Sequence, residues 1–434
     1  MKYYCIGIKG AGMSTLAQIL FDLGNEVSGY DDVRDYKFTQ DGLDKRNIAI
    51  YYDQSHYIDK DTIVTYSAAF NKDHKEILRV KELGLEIKSY HDILGDLTRR
   101  FNTICVAGTH GKTTTSSLIS HILRSTKGCN YFIGDGSGFA KQNNELFVLE
   151  SCEFQKHFLA YTPTYAVITN IELEHTECYD GLDDIINHFK VFANKATKQI
   201  IACGDDKNIR KINFDKDVLY YGVDKDNDIV AKNIEFTEKG SSFDVEIKKE
   251  FFGHFNLPLY GMHMVLDTLA CIGVCYLENI DSNTIHNLLL TFENARRRFK
   301  EEVLGSNVII DDYAHHPTEI TVTLKAAKQK YPNKKVVAIF KPNTYSRTVE
   351  MTDDFVKALS AADFVYMTEI DANREKQSDY PKVTTSMILD QIPNGKIISE
   401  DTVQILKDHQ DSVLCFMSCA SISHLIENYK KIVM

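Results

Sequence analysis

Positive charge is in short supply. Lys and Arg number 50 against 61 Asp and Glu, a net charge of −11, and the basic residues are interspersed with acids. A nucleic-acid backbone needs a basic footprint, so nucleic acid is not an expected partner. Long apolar runs are missing too. None reaches the length that crosses a bilayer, which speaks against membrane insertion. The opening Met1-Lys-Tyr-Tyr-Cys-Ile-Gly-Ile lacks the apolar segment and cleavage site of a signal peptide and reads as a first strand. A cytoplasmic location is the expectation. Ten cysteines are present without a metal pattern: several sit inside apolar strands (Cys5, Cys105, Cys415), where a reduced thiol serves as a small hydrophobe. Cys271 and Cys275 share a helix face, but no second pair or His companion completes a zinc set. Proline is absent before Pro163, which suits compact early domains. No internal repeat or low-complexity stretch occurs.

What is there begins with residues 103–115, Thr-Ile-Cys-Val-Ala-Gly-Thr-His-Gly-Lys-Thr-Thr-Thr. A buried-strand pattern (Ile104, Val106, Ala107) runs into Gly108-Thr109-His110-Gly111-Lys112-Thr113-Thr114. A helix follows with Leu118, Ile119, Ile122 and Leu123 on one face. Strand, glycine turn, Lys-Thr and helix make a phosphate cradle: glycines let backbone N–H groups approach the anion, and the helix start adds partial positive charge. Lys112 then reaches the outer phosphates of ATP and the Thr113 hydroxyl holds Mg²⁺. The usual spacing puts a glycine where Val106 stands, so the loop is a shortened one.

At 434 residues the chain is long enough for about three domains. Residues 3–31 form a βαβ outline: strand Tyr3–Ile8, the turn Gly10-Ala11-Gly12-Met13-Ser14, a helix, and a strand Glu26–Tyr30 ending on Asp31, placed where a ribose-binding carboxylate belongs. The turn lacks the third glycine of a dinucleotide site, which disfavours a dehydrogenase and favours another nucleotide or a sugar diphosphate. Strands at Thr62–Ser67 and Leu85–Ser89 and a helix near Asp73–Leu83 continue the unit, and His91–Phe101 reads as a bridge. The second unit has strands at Phe132-Ile133, Leu146–Glu150, Ala166–Thr169 and Gln199–Cys203, a hairpin around Phe236–Phe243, and helices at Met264–Leu277 and Ser282–Phe292. A third has strands at Val308–Asp311, Lys335–Phe340, Phe364–Thr368, Lys396–Ser399 and Ser412–Met417, with helices at Glu319–Lys330, Asp353–Ala361 and Ile422–Tyr429. The expected fold is α/β, with Rossmann-like units at 1–98 and 296–434 flanking a mostly parallel P-loop unit at 99–295.

Acids at the carboxyl ends of strands face the ligand crevice of such sheets. Glu150 closes one strand; Glu172, Glu174 and His175 follow another. Mg²⁺ takes hard oxygen ligands, so Thr113 with Glu150 is a reasonable site and His175 serves a second ion. The run Asp311-Asp312-Tyr313-Ala314-His315-His316-Pro317-Thr318-Glu319 crowds acid, phenol and imidazole at one strand end. Arg296-Arg297-Arg298-Phe299, at the boundary of the third unit, offers an arginine to the γ-phosphate when domains close.

These motifs, in this order, resemble the Mur ligases of peptidoglycan synthesis along essentially the whole chain. Gly10-Ala-Gly-Met-Ser14 and Asp312-Tyr-Ala-His-His-Pro-Thr-Glu319 are most like the alanine-adding branch, and the short cradle is the family's own. The resemblance implies an N-terminal domain gripping UDP-N-acetylmuramic acid, a central ATPase, and a C-terminal domain that admits L-alanine. ATP phosphorylates the lactyl carboxylate and the amine then displaces phosphate. It implies Arg298 as a phosphate-sensing residue, Asp312 as a nucleotide-ribose ligand, and Tyr313, His315 and Arg347 near the alanine pocket. Departures from the family pattern are Met264 and Asp267 near the adenine helix, Asn343, and Ser418-Cys-Ala-Ser421. They keep open a nucleotide-binding regulatory homologue as well as a sister ligase adding another amino acid or a peptide. A monomer or a homodimer fits the sequence.

Overall fold

The computed structural model describes residues 1–433 apart from 68, 176 and 374. The chain forms two compact units. One comprises Met1–Lys232, Asp244–Phe255 and Leu266–Phe292; the other comprises Asn233–Phe243, Asn256–Val265 and Glu293–Met434. The three sheets correspond to the three domains of an α/β protein.

The first sheet contains β1 (Lys2–Ile6), β2 (Glu26–Tyr30), β3 (Ala49–Tyr51), β4 (Thr62–Tyr66) and β5 (Glu86–Ile87) in the order β3-β2-β1-β4-β5. Every pairing is parallel, which is a doubly wound half-fold. The segment read as a bridge is helical, Tyr90–Arg100, and lies between β5 and the next sheet. Ser89 caps it by accepting the Asp92 N–H, and Ile93, Leu94 and Leu97 are buried.

The second sheet is built from β6 (Asn102–Ala107), β7 (Cys129–Phe132), β8 (Gly138–Phe139), β9 (Leu146–Glu150), β10 (Tyr165–Ile168), β11 (Gln199–Cys203), β12 (Val218–Gly222), β13 (Ile229–Thr237), β14 (Gly240–Ile247) and β15 (Glu250–Leu257). Its order is β15-β14-β13-β12-β11-β10-β6-β9-β7-β8. β6 therefore lies between β9 and β10, parallel to both. The chain leaves β6 through the cradle, so the carboxyl ends of β9 and β10 flank it at a topological switch point. That neighbourhood sets the site.

The third sheet has β16 (Lys300–Leu304), β17 (Asn307–Asp312), β18 (Lys335–Phe340), β19 (Phe364–Met367), β20 (Gly395–Ile397) and β21 (Ser412–Met417), ordered β16-β17-β21-β18-β19-β20. It is parallel except for β16, an antiparallel edge strand. Alternate residues feed two cores: Val308, Ile310, Ala338, Phe340 and Met417 on one face, Ile309, Val337, Ile339, Leu414 and Phe416 on the other. Both faces are covered, as parallel sheets require. The cysteines behave as small hydrophobes: Cys5, Cys105, Cys271, Cys275 and Cys415 are buried and free.

Candidate active site

The cradle is shaped by backbone that only glycine adopts easily. Gly108 has φ 148° and Gly111 φ 80°. A Cβ on Gly108 would lie 1.9 Å from Thr169 Oγ1, and one on Gly111 would lie 2.6 Å from Asp267 Oδ1. Gly111 caps the helix Lys112–Thr126 without a side-chain hydrogen bond, so the first N–H groups of that helix are left for an anion. Residues just past β10 lace the loop: Asn170 Oδ1 accepts the His110 N–H at 2.8 Å, Asn170 Nδ2 donates to His110 O at 3.0 Å, and the Thr109 N–H donates to Asn170 O at 3.0 Å. Asp267, one of the departures, is buried behind the loop and accepts the Thr115 hydroxyl at 3.1 Å.

Lys112 curls over this loop. Its ammonium donates to the carbonyls of Gly108 and Thr109 and to Glu153 Oε1 at 2.9 Å. Burial works against the charge, but the Glu153 carboxylate, helped by Cys152 and Glu174, more than offsets it and holds Lys112 protonated above its usual range.

Two groups of hard ligands stand beside it. Thr113 Oγ1 donates to Glu150 Oε1 at 3.1 Å, while Glu150 Oε2 accepts the Gly134 N–H at 2.7 Å. Glu153, Glu174 and His175 bring one ligand atom each within 4.8 Å of one another. Glu153 is 3% exposed, and its Oε2 is buried without a hydrogen-bond partner. A buried carboxylate oxygen left in that state is costly, and a divalent cation is the partner its chemistry suits. His175 takes φ 57°, which turns its ring toward this group.

The N-terminal glycine turn is arranged differently. Gly10, Ala11 and Gly12 are half-buried at the start of the helix Ala11–Asp22, whereas Met13 and Ser14 are buried. The Ser14 hydroxyl donates to Thr39 O at 2.6 Å, so it braces the turn. Asp31 is likewise buried: its Oδ2 accepts the Lys9 N–H at 2.9 Å and its Oδ1 the Val33 N–H at 3.1 Å. The carboxylate ties the turn to the end of β2.

In the same unit the imidazoles of His91 and His157 stack with ring centroids 3.3 Å apart. Burial, then the neighbouring His157, pushes His91 down to about 3, and burial pushes His157 down to about 4. Between those values and the ordinary 6.5 the unfolded chain binds protons that the native protein does not. Stability therefore rises with pH across that window and is lost on acidification. Denaturant midpoints measured from pH 4 to 7, as in such a titration, are expected to fall toward acid, and His91→Gln with His157→Gln to flatten the slope; an unchanged slope would contradict the assignment.

In the other unit, Asp312 at the end of β17 organises its surroundings. Its Oδ2 accepts the Phe299 N–H at 2.7 Å; its Oδ1 accepts the Ala314 N–H at 2.8 Å and the Thr323 hydroxyl at 3.3 Å. Burial pushes this carboxyl up, with Arg298 opposing. Arg298 lies with its guanidinium 5.0 Å from the Tyr313 ring centroid, between two left-handed residues, Arg297 (φ 54°) and Phe299 (φ 53°). His315 Nδ1 is 3.0 Å from Glu319 Oε2, and its ring meets Tyr313 edge-on. Arg298, Asp312, Tyr313 and His315 are thus one cluster. Arg347 is half-buried on the short helix Tyr345–Glu350 after β18. Ser418, another departure, donates from its hydroxyl to Lys341 O at 2.9 Å and accepts Arg297 Nη2 on its carbonyl at 2.6 Å.

Three family models match in succession: the catalytic domain of the Mur ligase family over residues 2–102, the Mur ligase middle domain over 106–275, and the Mur ligase glutamate ligase domain over 296–419. The chain belongs to the Mur ligase family. Its fold is that of solved Mur ligases. It is similar to the UDP-N-acetylmuramate-alanine ligase MurC of Thermotoga maritima (24% identity, TM-score 0.81, covering 100% of this chain and 99% of the other). It is also similar to a murein peptide ligase, Mpl, of Psychrobacter arcticus (22%, 0.73, 100% of both). A third likeness is to the MurF ligase of Thermotoga maritima in complex with ADP (19%, 0.64, 91% and 92%). Mur ligases are ATP-dependent, and the cradle, with the first N–H groups of its helix left uncapped by a side chain, has the shape that suits an anion. Sequence reasoning did not assign Glu153, which no periodicity marks; the one signal was a second acid three residues past Glu150. It also gave no role to Asn170, although that residue lies between the strand Ala166–Thr169 and Glu172. Among the described residues no helix is long and apolar enough to cross a membrane.

Proposed function

We propose that this Mur ligase joins L-alanine to the lactyl carboxylate of UDP-N-acetylmuramic acid through an acyl phosphate. The observation that carries the chemistry is the convergence of Lys112, Thr113, Glu150, Glu153, Glu174 and His175 around one cradle. A carboxylate attacking a γ-phosphoryl group brings two anions together, so positive charge must be supplied at the transferring oxygens. Lys112 supplies part of it. Thr113 with Glu150, and Glu153 with Glu174 and His175, are the groups that would hold Mg²⁺, which neutralises phosphoryl charge when bound. In the C-terminal domain, taken to begin at about residue 296, Arg298 is the further cation for the phosphoryl group and Asp312 shapes the nucleotide edge. Tyr313, His315 and Arg347 receive the amino acid: Arg347 as a fork for its carboxylate, His315, held by Glu319, as the base that frees its amine. The N-terminal turn Gly10–Ser14, stiffened by Asp31, takes the sugar nucleotide's diphosphate. A site with this whole charge-neutralising set suits turnover better than regulation by binding alone.

A second reading has its own support, the full-length likeness to a murein peptide ligase: the amine donor is a peptide, not free alanine. One assay separates them. Phosphate release from ATP with UDP-N-acetylmuramic acid is expected to depend on L-alanine, not on glycine, L-serine or the tripeptide L-alanyl-γ-D-glutamyl-meso-diaminopimelate. Dependence on the tripeptide would overturn the alanine reading, and absence of release with every donor would overturn both.

A further inference from the structure

The third sheet has an end to which no role has been given. Asp312 lies at the carboxyl end of β17 and Arg347 follows that of β18. The amino ends of β21, β18, β19 and β20, side by side in that order, frame a cavity of about 480 Å³, a size that suits a small molecule. The six residues of β18 separate the two ends, a span of about 17 Å. Strand alternation builds the cavity: Lys335, Phe364, Tyr366, Lys396 and Ser412 lie on the sheet face that packs beneath Val403 and Leu406. The helical segment carrying those two residues, Glu400–Asp408, stops at the cavity, and His409 continues its wall. The floor is fixed. Tyr366 Oη and His409 Nε2 are 2.8 Å apart, the His409 ring packs 4.6 Å from that of Phe364, and Asn307 Nδ2 donates to His409 O at 2.7 Å. The rim is uncommitted. Among the described residues the side chains of Asn333, Lys335, Asn394, Lys396, Asp408 and Gln410 make no hydrogen bond or ion pair. Lys335 only stands 5.6 Å over the Phe364 ring.

We propose that this cavity binds a sugar phosphate, its phosphate held by Lys335 and Lys396 and its hydroxyls by Asn394, Asp408 and Gln410. The site is separate from the one proposed for catalysis and does not depend on which amine donor is used there. Charge and side-chain type carry the inference. The two lysines come from strands on either side of β19, yet both act on one ring. Burial pushes His409 down from its ordinary value, Asp408 opposes, and Lys335 and Lys396 add to the lowering. Ammonium groups without an arginine fork suit a compact, multiply charged phosphate better than a planar carboxylate. Amides and one carboxylate on the same rim are the donors and acceptors that hydroxyl groups need, and Asp408 repels a second anionic group on the ligand. The Phe364 ring, half-buried, offers an apolar surface to the C–H face of a sugar. Asn394 adds an independent sign. Its φ of 143° lies outside the left-handed region that asparagine tolerates, and backbone held in such strain gathers where a ligand is gripped.

The test is calorimetric titration of the full-length protein, with UDP and a non-hydrolysable ATP analogue present to occupy the two glycine turns. The probes are glucose 6-phosphate, glucose 1-phosphate, glucose and inorganic phosphate. At least one sugar phosphate is expected to bind about tenfold or more tightly than either glucose or inorganic phosphate. Lys335→Gln and Lys396→Gln should each weaken that binding by about tenfold or more, the worth of a hydrogen bond to a charged group. Asn394→Gly should weaken it by about fivefold while the denaturant midpoint holds or rises, because glycine takes that backbone without strain. Both lysines are exposed, so their replacement should leave the denaturant midpoint, and phosphate release measured without sugar phosphate, unchanged. A loss of binding is then not a loss of fold. Sugar-phosphate affinity no greater than that for inorganic phosphate overturns the proposal. Wild-type affinity in the variant carrying both lysine replacements overturns it equally, since the ligand would then sit elsewhere.

Discussion

Lys112→Ala is expected to lower phosphate release by about a hundred- to thousandfold, the range seen when a preorganised charge is removed from a transition state, while UDP-sugar affinity changes by less than about twofold. The lysine heads the cradle helix and reaches Gly108 O, Thr109 O and Glu153, whereas the N-terminal glycine turn, proposed for the sugar nucleotide, belongs to a different sheet. The substitution has a second consequence. Lys112 and Glu153 are an ion pair with side chains 15% and 4% exposed, and breaking a buried pair by removing one partner costs about 3–5 kcal/mol. Lys112→Ala with Glu153→Gln is therefore the informative companion: it should recover much of the stability and none of the turnover. Phosphate release, sugar-nucleotide calorimetry and a denaturation midpoint together decide the matter. Loss of sugar-nucleotide binding along with turnover, in a folded double variant, would contradict the division of labour between the two turns.

Gly108→Ala should be comparably severe for a steric reason. The added Cβ would sit 1.9 Å from Thr169 Oγ1 and 3.1 Å from the Asn170 nitrogen, at φ 148°. Thr169 cannot retreat cheaply, because its hydroxyl donates to His110 O and its N–H to Ala107 O. Overpacking and backbone strain together predict a loss of about 2–4 kcal/mol, with ATP-analogue affinity reduced by at least about tenfold because the loop's N–H groups are displaced. Gly84→Ala is the control. Gly84 also has a positive φ, 67°, but nothing lies within 4 Å of its Cβ position, so only backbone strain of about 1 kcal/mol is expected. Equal denaturant midpoints for the two variants would show that crowding at Thr169 is not what shapes the cradle.

How far this protein can be read without coordinates depends on what kind of signal each part leaves. The parallel strands were legible because both faces are covered, giving short unbroken apolar runs such as Lys335–Phe340 and Ser412–Met417. Lys300–Leu304 was not, because an edge strand reading Lys-Glu-Glu-Val-Leu carries the polarity of a solvated segment. Ala49–Tyr51 is too short to show a period, and Val218–Gly222 has no alternation of its own and gains its place from β11. The helix Tyr90–Arg100 was readable in principle from its serine cap and apolar spacing.

The site divides along the same line. Gly108, Gly111, Lys112 and Thr113 are contiguous, and their order expresses their geometry. Glu153 sits three residues past a strand, just before Gln155 and Lys156 with φ of 50° and 62°. Its relation to Lys112 exists only once β9 lies beside β6. Asp31 and Asp312 were identifiable as acids at strand ends, but that each spends its oxygens on nearby backbone N–H groups is a fact of three dimensions.

Glu150 has one oxygen on Thr113 and the other on the Gly134 amide. The loop beyond Gly134 leans on the N-terminal helix, where Gln18 donates to Gly136 O at 3.3 Å and a Cβ on Gly138 would meet Thr15 at 2.6 Å. A carboxylate gripped at both ends cannot turn toward a cation without tugging the strap it is fastened to. A cation that draws Glu150 away from the Gly134 amide is therefore expected to quicken amide exchange at Gly136 and Gly138 on addition of Mg²⁺, and unchanged exchange there would contradict it.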